Sequence, residues 1–234
     1  MIEVNDLQKE YLEDETSTRA LRGVTFTINK GEFISIMGPS GSGKSTLIQI
    51  LSFLDRPTGG VYKFQGKSIE SMTDQELAHV RNKDMGFVFQ SFNLLSRLTV
   101  HDNVEVPLLY SDIPPAARKA LVVEAIKSVG LEEKTYSEAG KLSGGQKQRV
   151  ASARALVTDP NVIFADEPTG NLDSESGLQI MEILASLHKK GRTILLVTHE
   201  TQTAEFADRI IRMKDGRVES DEKVVAHSLR GPLK

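Results

Sequence analysis

The sequence contains no cysteine, which excludes disulfide bonds and thiolate metal sites. It also lacks any apolar run of the roughly 20 residues that a membrane-spanning helix needs. The first residues, MIEVNDLQKEYLEDE, are acidic and alternating, whereas a secretory signal is basic and then apolar, so we expect no such signal. These absences together favour a cytoplasmic location.

The chain also lacks an excess of charge of either sign. It has 29 basic and 32 acidic side chains and a formal net charge of −3. A protein that binds nucleic acid as its main partner usually carries a surplus of positive charge, so we expect no nucleic-acid partner. The length of 234 residues fits one large domain, or a domain with a sizeable insertion.

Continuous apolar runs predict strands that are buried on both faces of a sheet. They are Phe33–Met37, Val162–Ala165 and Ile194–Val197, and helical spacing of apolar residues lies between them. Alternating strands and helices indicate an α/β fold with a mostly parallel sheet and helices on both sides. Near the N-terminus, Ile2–Tyr11 and Ala20–Ile28 alternate like an antiparallel pair. We therefore expect an antiparallel β subdomain beside the main sheet.

The rest of the chain predicts three further features. Residues 91–155 contain few strand candidates and several helical runs. They also contain several prolines, including Pro107, that we expect to break helices. This segment therefore predicts a helical subdomain inserted into a core of residues 1–90 and 156–220. Arg209–Met213 and Arg217–Glu219 flank an Asp-Gly pair and predict a hairpin. Residues 221–234 have weak periodicity and predict a mobile tail. The whole chain, 1–234, reads as a single domain.

A glycine-rich stretch, GPSGSGKST, joins the predicted strand Phe33–Met37 to a predicted helix. It matches the phosphate-binding P-loop pattern, in which backbone N–H groups and a helix N-terminus cradle phosphates. We expect Lys44 to reach the β- and γ-phosphates and the Ser45 hydroxyl to bind Mg²⁺. A plain turn would not require a lysine and hydroxyls at these offsets. The expected nucleotide-binding residues of this loop are Gly38, Ser40, Gly41, Ser42, Gly43, Lys44, Ser45 and Thr46.

Two carboxylates, Asp166 and Glu167, end the predicted strand that begins at Val162. The carboxyl edge of a parallel sheet is where such folds bind ligands. We expect Asp166 to hold Mg²⁺ and Glu167 to polarise the water that attacks the γ-phosphate. The alternative is a solvated acidic pair in a loop.

A second segment with the properties of a phosphate site is Leu142–Gln146, with the sequence LSGGQ, just before a predicted helix. Its members Ser143, Gly144, Gly145 and Gln146 precede free backbone donors at the helix N-terminus. Helix capping explains Ser143 equally well, since serine is a common N-cap. It explains the Gly-Gly-Gln sequence less well. One bound nucleotide does not need two such sites.

At this point the sequence resembles the ATP-binding subunits of ABC transporters over nearly its whole length. The family's motifs occur in the family's order: the P-loop Gly38–Ser45, Gln90 of the Q-loop, the signature Leu142–Gln146, Asp166 and Glu167 of Walker B, the D-loop Asn171–Asp173 and the switch histidine His199. The resemblance implies ATP and Mg²⁺ as ligands. It also implies an ATP-dependent head-to-tail homodimer, in which the signature of each chain completes the site of the other.

The resemblance also implies roles for single residues. Tyr11 would stack on adenine, with packing at the end of a strand as the alternative. Gln90 would contact Mg²⁺ and the attacking water, and His199 the γ-phosphate. Asp173 would cross the dimer interface, with capping of the helix Ser174–Lys189 as an alternative role. The expected catalytic residues are thus Glu167, His199, Gln90 and Lys44, and the expected metal ligands are Ser45, Gln90 and Asp166.

The implied function is Mg-dependent ATP hydrolysis that drives an integral membrane permease from the inner face of the membrane. Within the family the chain resembles the branch of macrolide exporters, lipoprotein-release systems and the cell-division ATPase. A cell-division type regulator that transports nothing, and a soluble ABC ATPase, remain as alternatives. The family also implies a groove for a permease helix near residues 91–100, so we expect Phe92 or Leu95 to be an exposed anchor.

Overall fold

The computed structural model describes residues 1–13 and 16–224. Its strands form a four-stranded and a six-stranded sheet. The strands are β1 Ile2–Glu13, β2 Thr16–Ile28, β3 Phe33–Met37, β4 Gly59–Phe64, β5 Lys67–Ser68, β6 Met85–Phe89, β7 Val162–Asp166, β8 Thr193–Val197, β9 Arg209–Lys214 and β10 Arg217–Lys223. The apolar runs predicted as buried strands are β3, β7 and β8.

The six-stranded sheet has the order β10-β9-β3-β8-β7-β6 and is parallel except for the pair β9–β10. Successive side chains of its central strands enter different cores. In β8, Ile194 and Leu196 pack into one cluster and Leu195 and Val197 into another. Both faces of the strand are therefore buried, which explains why it is apolar from Ile194 to Val197.

The register of this sheet aligns the carboxyl ends of four neighbouring strands in one row. Phe89 of β6 pairs with Asp166 of β7, Asp166 pairs with Val197 of β8, and Val197 pairs with Ile36 of β3. The segments that follow these four strands therefore leave the sheet side by side. These are the segments that the sequence marks as functional.

The second sheet is antiparallel, with the order β2-β1-β4-β5. The predicted pair is present as β1 and β2. The sequence interpretation missed β4 and β5, because Gly59 and Gly60 open β4 and only Tyr62 and Phe64 of this strand are buried. The side chains of this sheet pack against those of β3, β7, β8 and β9 in the largest apolar cluster.

The α-helices of the described residues are α1 Lys44–Leu51, α2 Asp74–Asp84, α3 Val100–Leu109, α4 Pro115–Ser128, α5 Gly144–Leu156, α6 Ser174–Lys189 and α7 Thr201–Ala204. Helices α3, α4 and α5 lie between β6 and β7 in the chain and share an apolar cluster of their own. The expectation that Pro107 breaks a helix is wrong: it lies in the last turn of α3. Across residues 1–13 and 16–224, every helix is too short or too polar to cross a bilayer.

The predicted hairpin is formed by β9 and β10, which turn at Asp215 and Gly216. Strand β10 continues to Lys223 and pairs Asp221 with Ile211. The prediction of a tail that begins at residue 221 is therefore wrong for residues 221–223. Arg209 explains the extension, because its guanidinium binds both carboxylate oxygens of Asp221 at 2.6 Å. Residues 225–234 of the predicted tail lie outside the described residues.

Candidate active site

A cavity of about 1010 Å³ lies at the carboxyl edge of the six-stranded sheet. Most of the residues expected to act on a nucleotide line it together. They are Tyr11, Ser40, Gly41, Gly43, Lys44, Ser45, Thr46, Gln90, Asp166, Glu167 and His199. The register of β3, β8, β7 and β6 brings them together, because each of these strands delivers its next residues to the same edge.

The loop between β3 and α1 is held tightly against its surroundings. A Cβ atom on Gly38 would collide with the carbonyl oxygen of Met213, and one on Gly43 would lie 2.5 Å from the carbonyl oxygen of Ala20. Gly43 also has φ of 97° and is the N-cap of α1 without a side-chain cap, which leaves N–H groups of the first turn directed at the cavity. Gly38 and Ser42 do not line the cavity, and Ser42 is buried.

Lys44 is buried beneath this loop, although its side chain is a cation. Its Nζ donates to the carbonyl oxygens of Gly38 at 2.7 Å and Pro39 at 2.8 Å. Burial lowers the pKa of Lys44, and the nearby charges of Glu167 and Asp166 oppose that shift. The ammonium group is therefore fixed at the floor of the cavity, in contact with the loop that would surround an anion.

The acidic pair at the end of β7 lies opposite Lys44. Burial, together with the charge of Glu167, raises the pKa of Asp166, and Lys44 opposes this shift. Glu167 has φ of 46°, and its backbone N–H donates to the carbonyl oxygen of Val197 at 2.9 Å. Its carboxylate accepts a hydrogen bond at 2.9 Å from His199 Nδ1, in the tautomer that carries the proton on this nitrogen. His199 therefore orients Glu167 at the cavity wall.

The expected metal ligands offer oxygen atoms, which suit Mg²⁺. Ser45 contributes a hydroxyl, Asp166 a carboxylate and Gln90 an amide oxygen, and all three residues line the cavity. Hard oxygen donors of this kind are the ligands that Mg²⁺ prefers. Gln90 also contacts Asn171: its backbone oxygen accepts from Asn171 Nδ2 at 3.1 Å, and its Nε2 lies 3.4 Å from Asn171 Oδ1. The donor set fits the cation.

The LSGGQ segment lies outside the lining of this cavity. Ser143 is the N-cap of α5 and forms a reciprocal capping box with Gln146. A Cβ atom on Gly145 would collide with Ser176 Oγ. The expectation that capping accounts poorly for Gly-Gly-Gln is thus wrong for Gln146, whereas close packing against Ser176, and not capping, requires glycine at 145. At Gly144 a Cβ atom would meet only ordinary contacts.

Asp173 also lies outside the cavity lining. It is the N-cap of α6, where its carboxylate accepts from the Ser176 N–H at 2.9 Å and from the Ser176 hydroxyl at 2.8 Å. The capping role that the sequence left open is therefore present. A role across a dimer interface stays a prediction.

The sequence interpretation missed one side of the cavity. This side is formed by β2 and the turn between β9 and β10, namely Thr18, Arg19, Ala20, Arg22, Asp215 and Gly216. Gly216 donates its N–H to the Ser42 carbonyl at 3.1 Å and accepts from the Arg22 N–H at 2.8 Å. The Asp-Gly pair predicted the turn, but its packing against the P-loop joins positions too distant in the chain for any sequence pattern to report.

The comparisons with known proteins agree with this geometry. A family model described as "ABC transporter" matches residues 21–170, which is more than half of the chain. The chain belongs to the ABC transporter family. The resemblance drawn from the motifs is therefore confirmed.

Curated ABC relatives match almost the whole chain. A macrolide export ATP-binding/permease protein, MacB, from Chlorobaculum tepidum is 52% identical over 95% of this chain, but that match covers 34% of MacB. The chain thus spans about a third of the length of the MacB proteins that it matches. An uncharacterized ABC transporter ATP-binding protein from Thermotoga maritima is 48% identical and matches over 95% of each chain.

Solved ABC structures share the fold. The ATP-binding cassette MJ0796 in a dimeric post-hydrolysis state, bound to ADP and Pi, has a TM-score of 0.89 and 42% identity, with 97% of this chain and 100% of that chain covered. The protein cbiO1 from Clostridium perfringens, described as part of the ABC transporter complex cbiONQ, has a TM-score of 0.84 and 32% identity, over 95% of this chain and 88% of that chain. The chain is therefore an ABC ATPase cassette with the predicted α/β fold.

In this ABC cassette, the helix that begins at the signature also holds the Q-loop. Gln148 of α5 is fully buried and donates to the carbonyl oxygens of Phe89 at 3.2 Å and Pro168 at 2.7 Å. Arg154 of the same helix donates to the carbonyl oxygens of Phe92 at 2.8 Å and Asn93 at 2.5 Å. Helix α5 therefore binds both flanks of Gln90 and the loop after Glu167.

Proposed function

We propose that the chain hydrolyses Mg-ATP at a site completed by a second copy of itself, packed head to tail. The observation that carries the proposal is that the motifs lie in two separate places on the chain's surface. P-loop, acidic pair and His199 meet in one cavity, while Ser143 lies outside it. In this proposal the core, residues 1–90 and 156–220, holds the nucleotide, and the helical segment 91–155 presents the signature to the partner. The dimeric form of the related cassette MJ0796 supports this arrangement.

Phosphoryl transfer depends on positioning and on neutralisation of charge. Lys44 and the free N–H groups of α1 bind the phosphates, and Tyr11 packs on the base. Glu167, oriented by His199 at 2.9 Å, accepts a proton from the attacking water. Ser45, Asp166 and Gln90 would hold Mg²⁺, which would supply positive charge beside the phosphates.

Ser143→Arg is expected to leave ATP binding by the monomer intact and to abolish dimerisation and turnover. The reason is that residue 143 serves the partner's nucleotide and not its own. Loss of the N-cap alone costs about 1 kcal/mol, so Ser143→Asp is a second variant, which keeps a capping side chain but repels phosphate. Equilibrium binding and light scattering measure the two properties, with Ser71→Arg at another exposed serine as the control. A fall in monomer affinity as large as that of Lys44→Ala would contradict the assignment.

We further propose that the partner is an integral membrane permease, bound at the inner face of the membrane, and that the work is export or mechanical work outside the cytoplasm. The MacB relatives, whose names join ATP-binding and permease functions, support this proposal. An apolar groove of about 480 Å³ on this chain, lined among others by Leu54, Phe87, Phe89 and Tyr110, suits an amphipathic helix of such a partner.

The expected anchors Phe92 and Leu95 do not line that groove. Leu95 is 51% exposed, whereas Phe92 is half-buried and its carbonyl is held by Arg154. Tyr110, at 78% exposure, and Leu54, at 53%, are the exposed large apolar residues of the groove.

Tyr110→Asp is expected to keep basal ATPase activity but to lose stimulation by the permease, because it places a charge where an apolar helix would dock. Leu95→Asp tests whether the contact extends to the neighbouring loop. Val123→Asp, at a similarly exposed apolar residue of α4, is the control and should keep full stimulation. The measurement is ATPase activity in vesicles reconstituted with the proposed permease partner. Full stimulation of both Tyr110→Asp and Leu95→Asp would place the permease contact elsewhere.

A further inference from the structure

A partly buried ion pair lies beside Tyr11. Lys9 and Tyr11 are two positions apart on β1, so their side chains leave the same face of the strand. Lys9 Nζ lies 4.9 Å from the centroid of the Tyr11 ring. It also binds Asp55 Oδ1 at 2.7 Å and the Arg56 carbonyl oxygen at 2.8 Å. The Tyr11 hydroxyl donates to the other carboxylate oxygen, Oδ2, at 3.0 Å.

The three side chains therefore form a closed triangle, in which each contacts the other two. Lys9 is only 9% exposed, and a buried ammonium group is costly unless it is paired and hydrogen-bonded. Partial burial would raise the pKa of Asp55, but hydrogen bonds from Lys9, the Arg56 N–H and Tyr11 outweigh it and hold that pKa below its ordinary value. Lys9 and Asp55 bind each other, and each also contacts Tyr11, so together they set the position of the Tyr11 ring.

We propose that Lys9 and Asp55 are positioning residues, which fix the Tyr11 ring at the wall of the cavity and so set the affinity for the base of the nucleotide. The inference rests on the proposed binding of ATP and deepens it. A ring that is already held in place loses less conformational freedom when a base stacks on it than a ring that rotates freely. Lys9 and Asp55 do not line the cavity, so they act through Tyr11.

Helix α1 connects this triangle to the lysine of the P-loop. Helix α1 begins at Lys44, which binds the P-loop carbonyls, and ends at Leu51. Asp55 follows that helix, and its backbone N–H donates to the Gln49 carbonyl oxygen at 3.2 Å. One short, rigid element thus carries the lysine for the phosphates at its start and the carboxylate that holds the ring just beyond its end.

The test compares ATP with inorganic tripolyphosphate, a probe that has the phosphates but no base. Tyr11→Phe removes the hydroxyl that donates to Asp55, and Asp55→Asn puts an amide NH₂ in place of the accepting Oδ2, because Oδ1 is held by Lys9 and the Arg56 N–H. Neither variant can therefore form the hydrogen bond from hydroxyl to carboxylate. Both are expected to raise the KM and the Kd for ATP about three- to tenfold, with kcat and the affinity for tripolyphosphate unchanged. The double variant should be no worse than the single ones, because both remove the same hydrogen bond.

Asp74→Asn is the matched control, since Asp74 forms an exposed 2.7 Å ion pair with Arg56 and does not contact Tyr11. Unchanged ATP affinity in folded Asp55→Asn and Tyr11→Phe would overturn the inference, as would an equal loss of ATP and tripolyphosphate affinity. Tyr11→Phe, which removes one hydroxyl, decides the matter if Asp55→Asn does not fold. If the unaltered chain bound no ATP, the proposed function would fail instead, which is a distinct result.

Discussion

Lys44→Ala is expected to abolish ATP binding at concentrations that saturate the unaltered chain. Lys44 is the cation at the floor of the cavity, in contact with the Gly38 and Pro39 carbonyls at 2.7 and 2.8 Å. Charge-assisted hydrogen bonds contribute about 1.5–3 kcal/mol each, and a lysine between two phosphates makes more than one. The affinity should therefore fall at least about a hundredfold.

Isothermal titration calorimetry measures this loss directly. The control is Lys30→Ala, which removes an exposed lysine just before β3, at the opposite end of that strand from the P-loop. It should bind ATP normally. Near-normal affinity in Lys44→Ala, with the fold intact by circular dichroism, would contradict the assignment of the cavity to nucleotide phosphates.

Glu167→Gln is expected to stabilise the dimer. The variant should bind ATP and lose hydrolysis, so that a stable dimer accumulates. The amide can still accept the hydrogen bond from His199, which is 2.9 Å long in the unaltered chain, so the geometry of the wall is kept. It cannot take a proton from water. Loss of a general base typically costs about 10²–10⁴-fold in rate, so the closed, ATP-bound dimer should persist.

Size-exclusion chromatography with light scattering, with and without Mg-ATP, measures the dimer. Glu132→Gln, at an exposed glutamate of the helical segment, is the control and should hydrolyse ATP and dimerise only transiently. A Glu167→Gln chain that remains monomeric at saturating Mg-ATP would contradict a site shared between two chains.

The sequence predicted those features that depend on local patterns. Phe33–Met37 is apolar at every position except Ser35 because both faces of β3 are buried, and such a run is visible without any structure. The P-loop, the Walker B carboxylates and His199 follow strands of this kind, so their meeting at one edge could be foreseen. The antiparallel pair β1–β2 was equally visible, because one apolar residue alternates with one polar residue along much of each strand.

Contacts between distant polar residues could not be predicted in this way. Lys9 and Asp55 are 46 residues apart, and the sequence around each of them predicts only a solvent-exposed side chain. Gln148 lies in the helix that follows the LSGGQ signature. No neighbouring residue in the sequence indicates that its amide is fully buried against Phe89 and Pro168. The extension of β10 to Lys223 depends likewise on Arg209, across the hairpin.

The most direct test of the shared site is the ATPase activity of a mixture of two inactive variants. A mixed dimer of Lys44→Ala and Ser143→Arg has both defects in one site, and the other site combines an intact P-loop with an intact signature. We expect each variant alone to be inactive and an equimolar, concentrated mixture to regain activity, since only a mixed dimer has one complete site. A mixture as inactive as its components at every ratio would contradict the head-to-tail site.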